Sequence, residues 1–276
     1  MAKKLNNLST RVIMTIIGVP LIVFLSLVGK IPFLVFTLAI GLTSYYEYSR
    51  MLRNRHNFTH RLIGYIAIAL IIINEYKNFF DYHIFMLILV SLLLLSELFR
   101  KKESATVNLG GSLLGILYIG FFTAAIVDLR EFYNESVFLY AQGGYLIIAI
   151  LVSIWICDSA AYFIGTAYGL HKLMPRVSPK KSWEGAIAGF VFAIITMIAA
   201  REFFLEFIQL RDAIVLGFIV GAFGQIGDLA ESLLKRDNHV KDSSSLIPGH
   251  GGILDRFDSL LFTAPIVYLY LTYIVK

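Results

Sequence analysis

Residues 144–164 read GYLIIAILVSIWICDSAAYFI, twenty-one positions with one charged side chain, Asp158. A helix needs roughly 20 apolar residues to cross about 30 Å of hydrocarbon. This stretch therefore predicts a transmembrane helix, and the rest of the chain repeats the pattern. Further apolar runs fall at about 12–29, 31–48, 62–74, 82–99, 109–128, 183–204, 213–229 and 260–275. The third is short and the eighth is rich in glycine. Hydrophobic residues make up 58% of the 276 and charged residues 16%, against about 25% charged in an average soluble domain. The expected fold is all-α, a polytopic helical membrane bundle of about nine transmembrane helices.

The loops orient it. With the N-terminus in the cytoplasm, the inside segments hold the clusters around Lys3–Lys4, Arg50–Arg61, Arg100–Lys102, Lys172–Lys181 and Lys235–Arg256, which is eighteen of the 24 basic residues. Positive charge favours the cytoplasmic side, so Lys276 is expected outside. Residues 1–143 then form five N-terminal spans, and 144–276 form a catalytic region of four spans with two polar cytoplasmic loops. The 50–61 and 100–102 clusters read as topology determinants and anionic-lipid contacts. The first run has no small-residue cleavage site after it and is expected to stay as a span. The lone Cys157 excludes an intramolecular disulfide and a cysteine metal cluster, and reads as a small buried apolar residue.

Chemistry concentrates near the last two inside loops, 165–182 and 230–259. In GQIGDLAESLLKRD (224–237), read as a helix, Asp228, Glu231, Ser232 and Lys235 share one face, away from Leu229 and Leu233. In HGGILDRFDS (250–259), a helix beginning at Leu254 would put Asp255, Asp258 and Ser259 on one face. Carboxylates there suit magnesium, which takes one or two carboxylates plus phosphates and water. Gly251 and Gly252 let the backbone approach an anion. The polar stretch 235–250 reads as a loop able to close over a charged ligand. In SPKKSWEG (178–185), Ser182 is expected to cap a helix with Glu184 and Gly185 in its first turn, while Lys180 and Lys181 read equally as a phosphate clamp or as topology charge. Asp158, ionisable near the inner end of a span, reads as a site residue or a hydrogen-bonded structural one. The pairs Gly185/Gly189 and Gly217/Gly221 read as close helix packing. The residues alone thus give a metal and phosphates at a membrane surface.

Ser232, Lys235–Arg236, Lys241–Asp242, Ser244, Ile247–Pro248, His250–Gly251–Gly252 and Asp255–Arg256–x–Asp258 together resemble the signature of the phosphatidate cytidylyltransferases, or CDP-diacylglycerol synthases. The stretches CDSAAYFIG and SPKKSWEG resemble the family too, with Ser182 where a threonine is common. The resemblance is specific over about 144–276. It implies CMP transfer from CTP to phosphatidic acid, with magnesium and room for a second cation. It implies metal binding by Asp228 and Asp255, with Asp258 and Asp158 beside them, and catalysis by Asp228, Asp255, Lys235 and Arg256. Substrate contacts fall to Ser178, Lys180, Lys181, Ser232, Arg236, Lys241, His250, Gly251 and Gly252. The expected setting is the cell membrane with the active site facing the cytoplasm, among membrane lipids, with no nucleic acid and a homodimer left open. A CTP-dependent lipid kinase and an ion-coupled transporter are the rival readings. The basic loops on one face oppose the transporter, whose charges belong near mid-membrane.

Overall fold

A computed structural model describes residues 7–134, 139–247 and 251–275. Helices dominate. They are α1 (Asn7–Val28), α2 (Lys30–Leu52), α3 (Arg61–Lys77), α4 (Tyr82–Leu98), α5 (Ala105–Gly115), α6 (Phe122–Glu131), α7 (Tyr140–Tyr168), α8 (Trp183–Phe203), α9 (Leu210–Asp237) and α10 (Leu254–Tyr270). A π-helical turn, Ile116–Phe121, joins α5 to α6 as one continuous rod. Each of the nine apolar runs lies on a helix or on that rod. Five helical segments are long and apolar enough to cross a membrane: Ala105–Glu131, Tyr140–Tyr168, Trp183–Phe203, Leu210–Asp237 and Leu254–Val275. Large side chains such as Leu87, Leu94 and Leu95 of α4 are exposed, the arrangement expected of a surface solvated by lipid rather than water.

Hydropathy finds where the apolar runs end, not where the helices end. α9 continues from the apolar part through Asp237, and α10 begins at Leu254, before its apolar run. Backbone bonding is indifferent to the charges there. The all-α expectation needs one correction. The 165–182 connection contains a two-stranded antiparallel hairpin, β1 (Lys172–Met174) and β2 (Ser178–Ser182), with Lys172 opposite Ser182 and Met174 opposite Ser178. Pro175 and Pro179 bracket its turn and second strand. Proline disfavours the helical conformation in the residue before it, which leaves this short polar segment extended. β2 runs into α8, where Ser182 Oγ accepts from Gly185 N at 3.2 Å, the expected cap.

Two compact units interleave along the chain. One comprises 1–25, 30–128 and 237–257, and the other 26–29, 129–236 and 258–276. In the first, α2, α3 and the α5–α6 rod bury Tyr45, Ile68, Ile71, Ile72, Ile116 and Ile119 completely. Its polar knot is Glu97, which faces His60 Nε2 at 2.5 Å and accepts from Asn108 Nδ2 at 2.8 Å. Burial, then the charge of Arg100, pushes the His60 imidazole down from its ordinary value despite Glu97, so the neutral ring is favoured.

In the second unit, α7, α8 and α9 meet through small residues. A Cβ at Gly189 would lie 2.8 Å from Cys157 O on α7, and one at Gly217 would lie 2.6 Å from Ile194 Cα on α8. The glycine pairs therefore do pack helices closely, and Cys157 is buried as expected. Arg130 is fully buried and donates to the carbonyls of Ser26, Leu27 and Tyr140, with the charge of Glu131 beside it.

Gly217→Val should force α8 and α9 apart and destabilise the detergent-purified protein by about 1–3 kcal/mol, the usual cost of overpacking. The temperature at which half the protein leaves the monodisperse peak on size exclusion measures this. A value equal to wild type would mean that the helices do not meet at Gly217.

Candidate active site

The polar stripe of α9 points inward. Glu231, Ser232 and Lys235 are buried, while Ile226 and Leu233 are exposed. In water this distribution would be reversed; in lipid it is what the cost of exposing ions to hydrocarbon requires. Glu231 and Lys235, one turn apart, form an ion pair within the helix. Ser232 Oγ donates to Asp228 Oδ1 at 3.3 Å. Lys181 Nζ stands 2.6 Å from Asp228 Oδ2, with both side chains about two-thirds to three-quarters buried.

The hairpin is what delivers Lys181. Its pairing puts Ser182 opposite Lys172, and Arg236 Nε donates to Val177 O at 3.2 Å, fastening the hairpin turn to the end of α9. Asp258 is brought to the same place by a glycine. A Cβ at Gly227 would come within 2.6 Å of Asp258 O, so the backbones of α9 and α10 nearly touch one residue before Asp228. Asp258 is buried and accepts from Ser259 N at 2.7 Å. The charges that act on it are Asp228 first, then Asp158, opposed by Lys235. Among the predicted residues, this unit thus assembles Lys181, Asp228, Ser232, Lys235 and Asp258, with Asp158 close enough to act on Asp258 through its charge. Ser178 lies in β2, and Lys180 is exposed on it.

The other unit holds the polar segment after α9. Asp255 does not stand open to a ligand on both oxygens. Its Oδ2 accepts from Ser243 N at 3.0 Å, Ser243 Oγ at 2.9 Å and Gly252 N at 2.7 Å. Gly251 has φ +82°, which lets the chain turn back so that Ile247 N reaches Gly251 O at 2.9 Å. Lys241 and Arg256 are exposed. His250 lies outside the described residues.

Sequence reading missed Glu47. This α2 residue is fully buried, and its carboxylate accepts from Ser243 Oγ at 3.0 Å, Ser244 Oγ at 2.6 Å, Ile253 N at 3.0 Å and Leu254 N at 2.8 Å. It caps the start of α10 from another helix and also pins the loop before it. A Cβ at Gly252 would fall 2.4 Å from Glu47 Oε2, which explains the second glycine of the pair. The available signal was an acidic residue inside an apolar run.

The donor set bears on a metal. Among the described residues no three His, Cys, Asp or Glu side chains are arranged to cage an ion. Asp228 and Asp258 with Asp158 nearby are instead hard oxygen donors, few in number and charged alike. That fits magnesium, which keeps water and substrate phosphates as its remaining ligands.

Residues 9–274 match the cytidylyltransferase family. The chain is 32% identical over 272 residues to the phosphatidate cytidylyltransferase of Bacillus subtilis, covering 96% of this chain and 98% of that protein. It is 33% identical over 275 residues to that of Brucella suis, covering 96% and 94%. Over 153 residues it is 42% identical to that of Haemophilus influenzae, covering 52% and 51%.

Glu47→Ala would leave two buried backbone N–H groups and two hydroxyls without their acceptor, at a cost on the order of 3–5 kcal/mol. Glu47→Asp, which keeps the charge, should lose less than Glu47→Gln, whose amide turns a donor toward donors. Thermal unfolding and the rate of proteolysis within 241–247 measure both effects. Unchanged proteolysis in Glu47→Ala would show that the carboxylate does not hold the loop.

Proposed function

The chain belongs to the cytidylyltransferase family, and we infer that it is a phosphatidate cytidylyltransferase, a CTP-dependent enzyme of phospholipid synthesis. It transfers CMP from CTP to phosphatidic acid, giving CDP-diacylglycerol and pyrophosphate. The similarity to enzymes of that name runs over nearly the whole chain. The structural observation that carries the reading is the group of buried Asp258 and the partly buried pair Lys181–Asp228 beside the inward polar face of α9.

A phosphatidate oxygen forms a bond to the α-phosphorus of CTP as the bond from that phosphorus to the bridging oxygen of pyrophosphate breaks. Both reactants are anions, so the barrier is largely electrostatic. A phosphate monoester with a second pKa near 6 is mostly ionised at neutral pH, so no strong general base is needed. His250 is then a phosphate or loop contact.

Asp228 and Asp258 would hold magnesium, with Asp158 available for a second cation. An ion bound there would supply positive charge to the triphosphate. Lys181, ion-paired to Asp228, keeps that carboxylate placed and carries a second positive charge for the same phosphates. Lys180, Lys235 and Arg236 share the remaining charge; for Lys241, Arg256 and the amide of Gly251 a phosphate contact is what the family signature implies. Ser178 donates to a phosphate oxygen, while Ser232 holds Asp228 through its hydroxyl. Asp255 accepts from Ser243 and Gly252 and so shapes the loop before α10; a metal contact for it is what the family signature implies.

The chain crosses the cell membrane nine times with the N-terminus inside, so that 165–182 and 230–252 meet cytoplasmic CTP. The charge bias of the loops supports this orientation. A lipid kinase would use similar groups to attack the γ-phosphorus, and the named relatives favour the cytidylyl reading.

With CTP labelled at either the α- or the γ-phosphate and phosphatidic acid in micelles, α-label should enter lipid and γ-label should leave as pyrophosphate. Entry of γ-label into lipid would make the enzyme a kinase. Asp258→Asn and Asp228→Asn should lower kcat by about 100-fold or more, as for loss of a transition-state electrostatic contact, and raise the magnesium needed for half-maximal rate. A normal magnesium requirement with normal kcat would remove either residue from the metal site. For topology, Ser245→Cys in a Cys157→Ala background should resist an impermeant thiol reagent on intact cells, while a cysteine appended after Lys276 should react. Labelling of Ser245→Cys in sealed cells would put the loop outside.

A further inference from the structure

A second charged recess lies wholly within the first unit, among residues that the proposed mechanism leaves unused. It has a volume of about 110 Å³ and is walled by Arg53, Arg61, Arg100 and Lys102 together with Asn57 and Phe58. Its cations come from two separate connections, α2 to α3 and α4 to α5. No carboxylate lines it. Glu97 pairs with Arg100 at 3.3 Å and is also engaged by His60 and Asn108, and Glu103, next to Lys102, faces His56 at 3.7 Å, which leaves Arg53, Arg61 and Lys102 as the cations of the recess without a carboxylate partner among the described residues. Setting membrane topology requires only that positive charge be present in a loop. It does not require four cations to converge on one concavity, where their mutual repulsion is a cost that an anion would offset.

The recess is also built rather than draped. Phe58 N donates to Asn108 Oδ1 at 2.7 Å and His60 N donates to Ser112 Oγ at 2.8 Å, which fasten the 58–60 segment to α5. The Phe58 ring then serves as a platform, with Arg53 Cζ 5.9 Å and Lys102 Nζ 5.6 Å from its centroid. Asn57 Oδ1 is buried in the wall with no hydrogen-bond partner among the described residues. The first turn of α3, beginning at Arg61, has no side-chain cap, so its leading N–H groups are not spent on a side chain. Apolar residues neighbour these cations in sequence: Leu62, next to Arg61, is 72% exposed, and Leu98 and Phe99, the two residues before Arg100, are 76% and 78% exposed.

We propose that this recess is a binding site for a phosphate group, and that the group is the headgroup of an anionic phospholipid whose chains run along Leu62, Leu98 and Phe99. Guanidinium groups suit the phosphate oxygens, and the apolar flank suits acyl chains better than a soluble nucleotide. The site is separate from cytidylyl transfer.

The test uses the full-length protein in a neutral detergent, with bound lipids counted by native mass spectrometry during titration with phosphatidylglycerol. Phosphatidylcholine serves as the control lipid without net charge, and inorganic phosphate as the competitor. Arg53→Gln/Lys102→Gln should weaken phosphatidylglycerol binding about tenfold or more, in keeping with the loss of two charge-assisted contacts. Arg50→Gln/Lys101→Gln removes equal charge from exposed positions outside the recess and should change it less than about twofold. Phosphatidylcholine should bind equally to all three proteins, and cytidylyl transfer in neutral detergent should be unchanged. Equal weakening by the two double variants would show diffuse surface attraction and overturn the site, as would wild-type binding by Arg53→Gln/Lys102→Gln. If inorganic phosphate at low millimolar concentration displaces the lipid completely, the phosphate site stands and the lipid assignment falls. Loss of cytidylyl transfer in Arg53→Gln/Lys102→Gln alone would assign these cations to catalysis and overturn the separation.

Discussion

The carboxylate of Glu47, buried inside α2, is the point on which the polar segment of the first unit depends. Two of its four bonds go to the first amides of α10 and two to hydroxyls of the preceding loop. A charge placed there without donors would be strongly unfavourable, and amides placed there without an acceptor would cost nearly as much. Each half therefore requires the other. Because the donors come from one short stretch, 243–254, satisfying the carboxylate also fixes the path of a segment that could not pack by its own apolar content.

The same rule orders the other ions of the protein. Glu231 is paired with Lys235, Asp228 with Lys181, and Glu97 with His60 and Asn108. Arg130 adds three carbonyls to the nearby charge of Glu131. Removing one member of such a group leaves an uncompensated buried charge, which is more damaging than replacing the whole group by apolar residues. Variants at these positions are thus expected to act first on folding. A functional effect is informative only where, as at Asp228 and Asp258, the charge is itself the proposed agent and an isosteric amide is available.

The apolar runs made the helices readable, since a backbone in hydrocarbon has few other ways to satisfy itself. The face of α9 was readable for the same reason, because Asp228, Ser232 and Lys235 recur at helical spacing. What could not be read was pairing at long range. Glu47 meets residues 196 to 207 positions away, and no local pattern encodes that. The surroundings of Asp255 could not be read for a related reason. Spacing put Asp255 and Asp258 on one helix face, but the turn at Gly251 directs Gly252 N toward Asp255, whereas Gly227 makes room beside Asp258. Two equivalent-looking aspartates were separated by which glycine lay across from each. The hairpin escaped because strand signals need alternation, and its five-residue second strand, SPKKS, has none.

That hairpin changes how the lysines of 178–185 should be understood. Taken from sequence, Lys180 and Lys181 are adjacent and equivalent. On an extended strand adjacent side chains point to opposite sides, and the two lysines differ accordingly: Lys180 is exposed, while Lys181 is partly buried against Asp228. An ammonium held 2.6 Å from a carboxylate gains little at an open surface but more where water is partly excluded. The strand thus assigns the two charges separate tasks. Lys180 can meet an incoming anion from the aqueous side, where its hydration costs little to rearrange. Lys181 is already placed, and a phosphate arriving beside Asp228 would find a positive charge whose positioning was settled by folding.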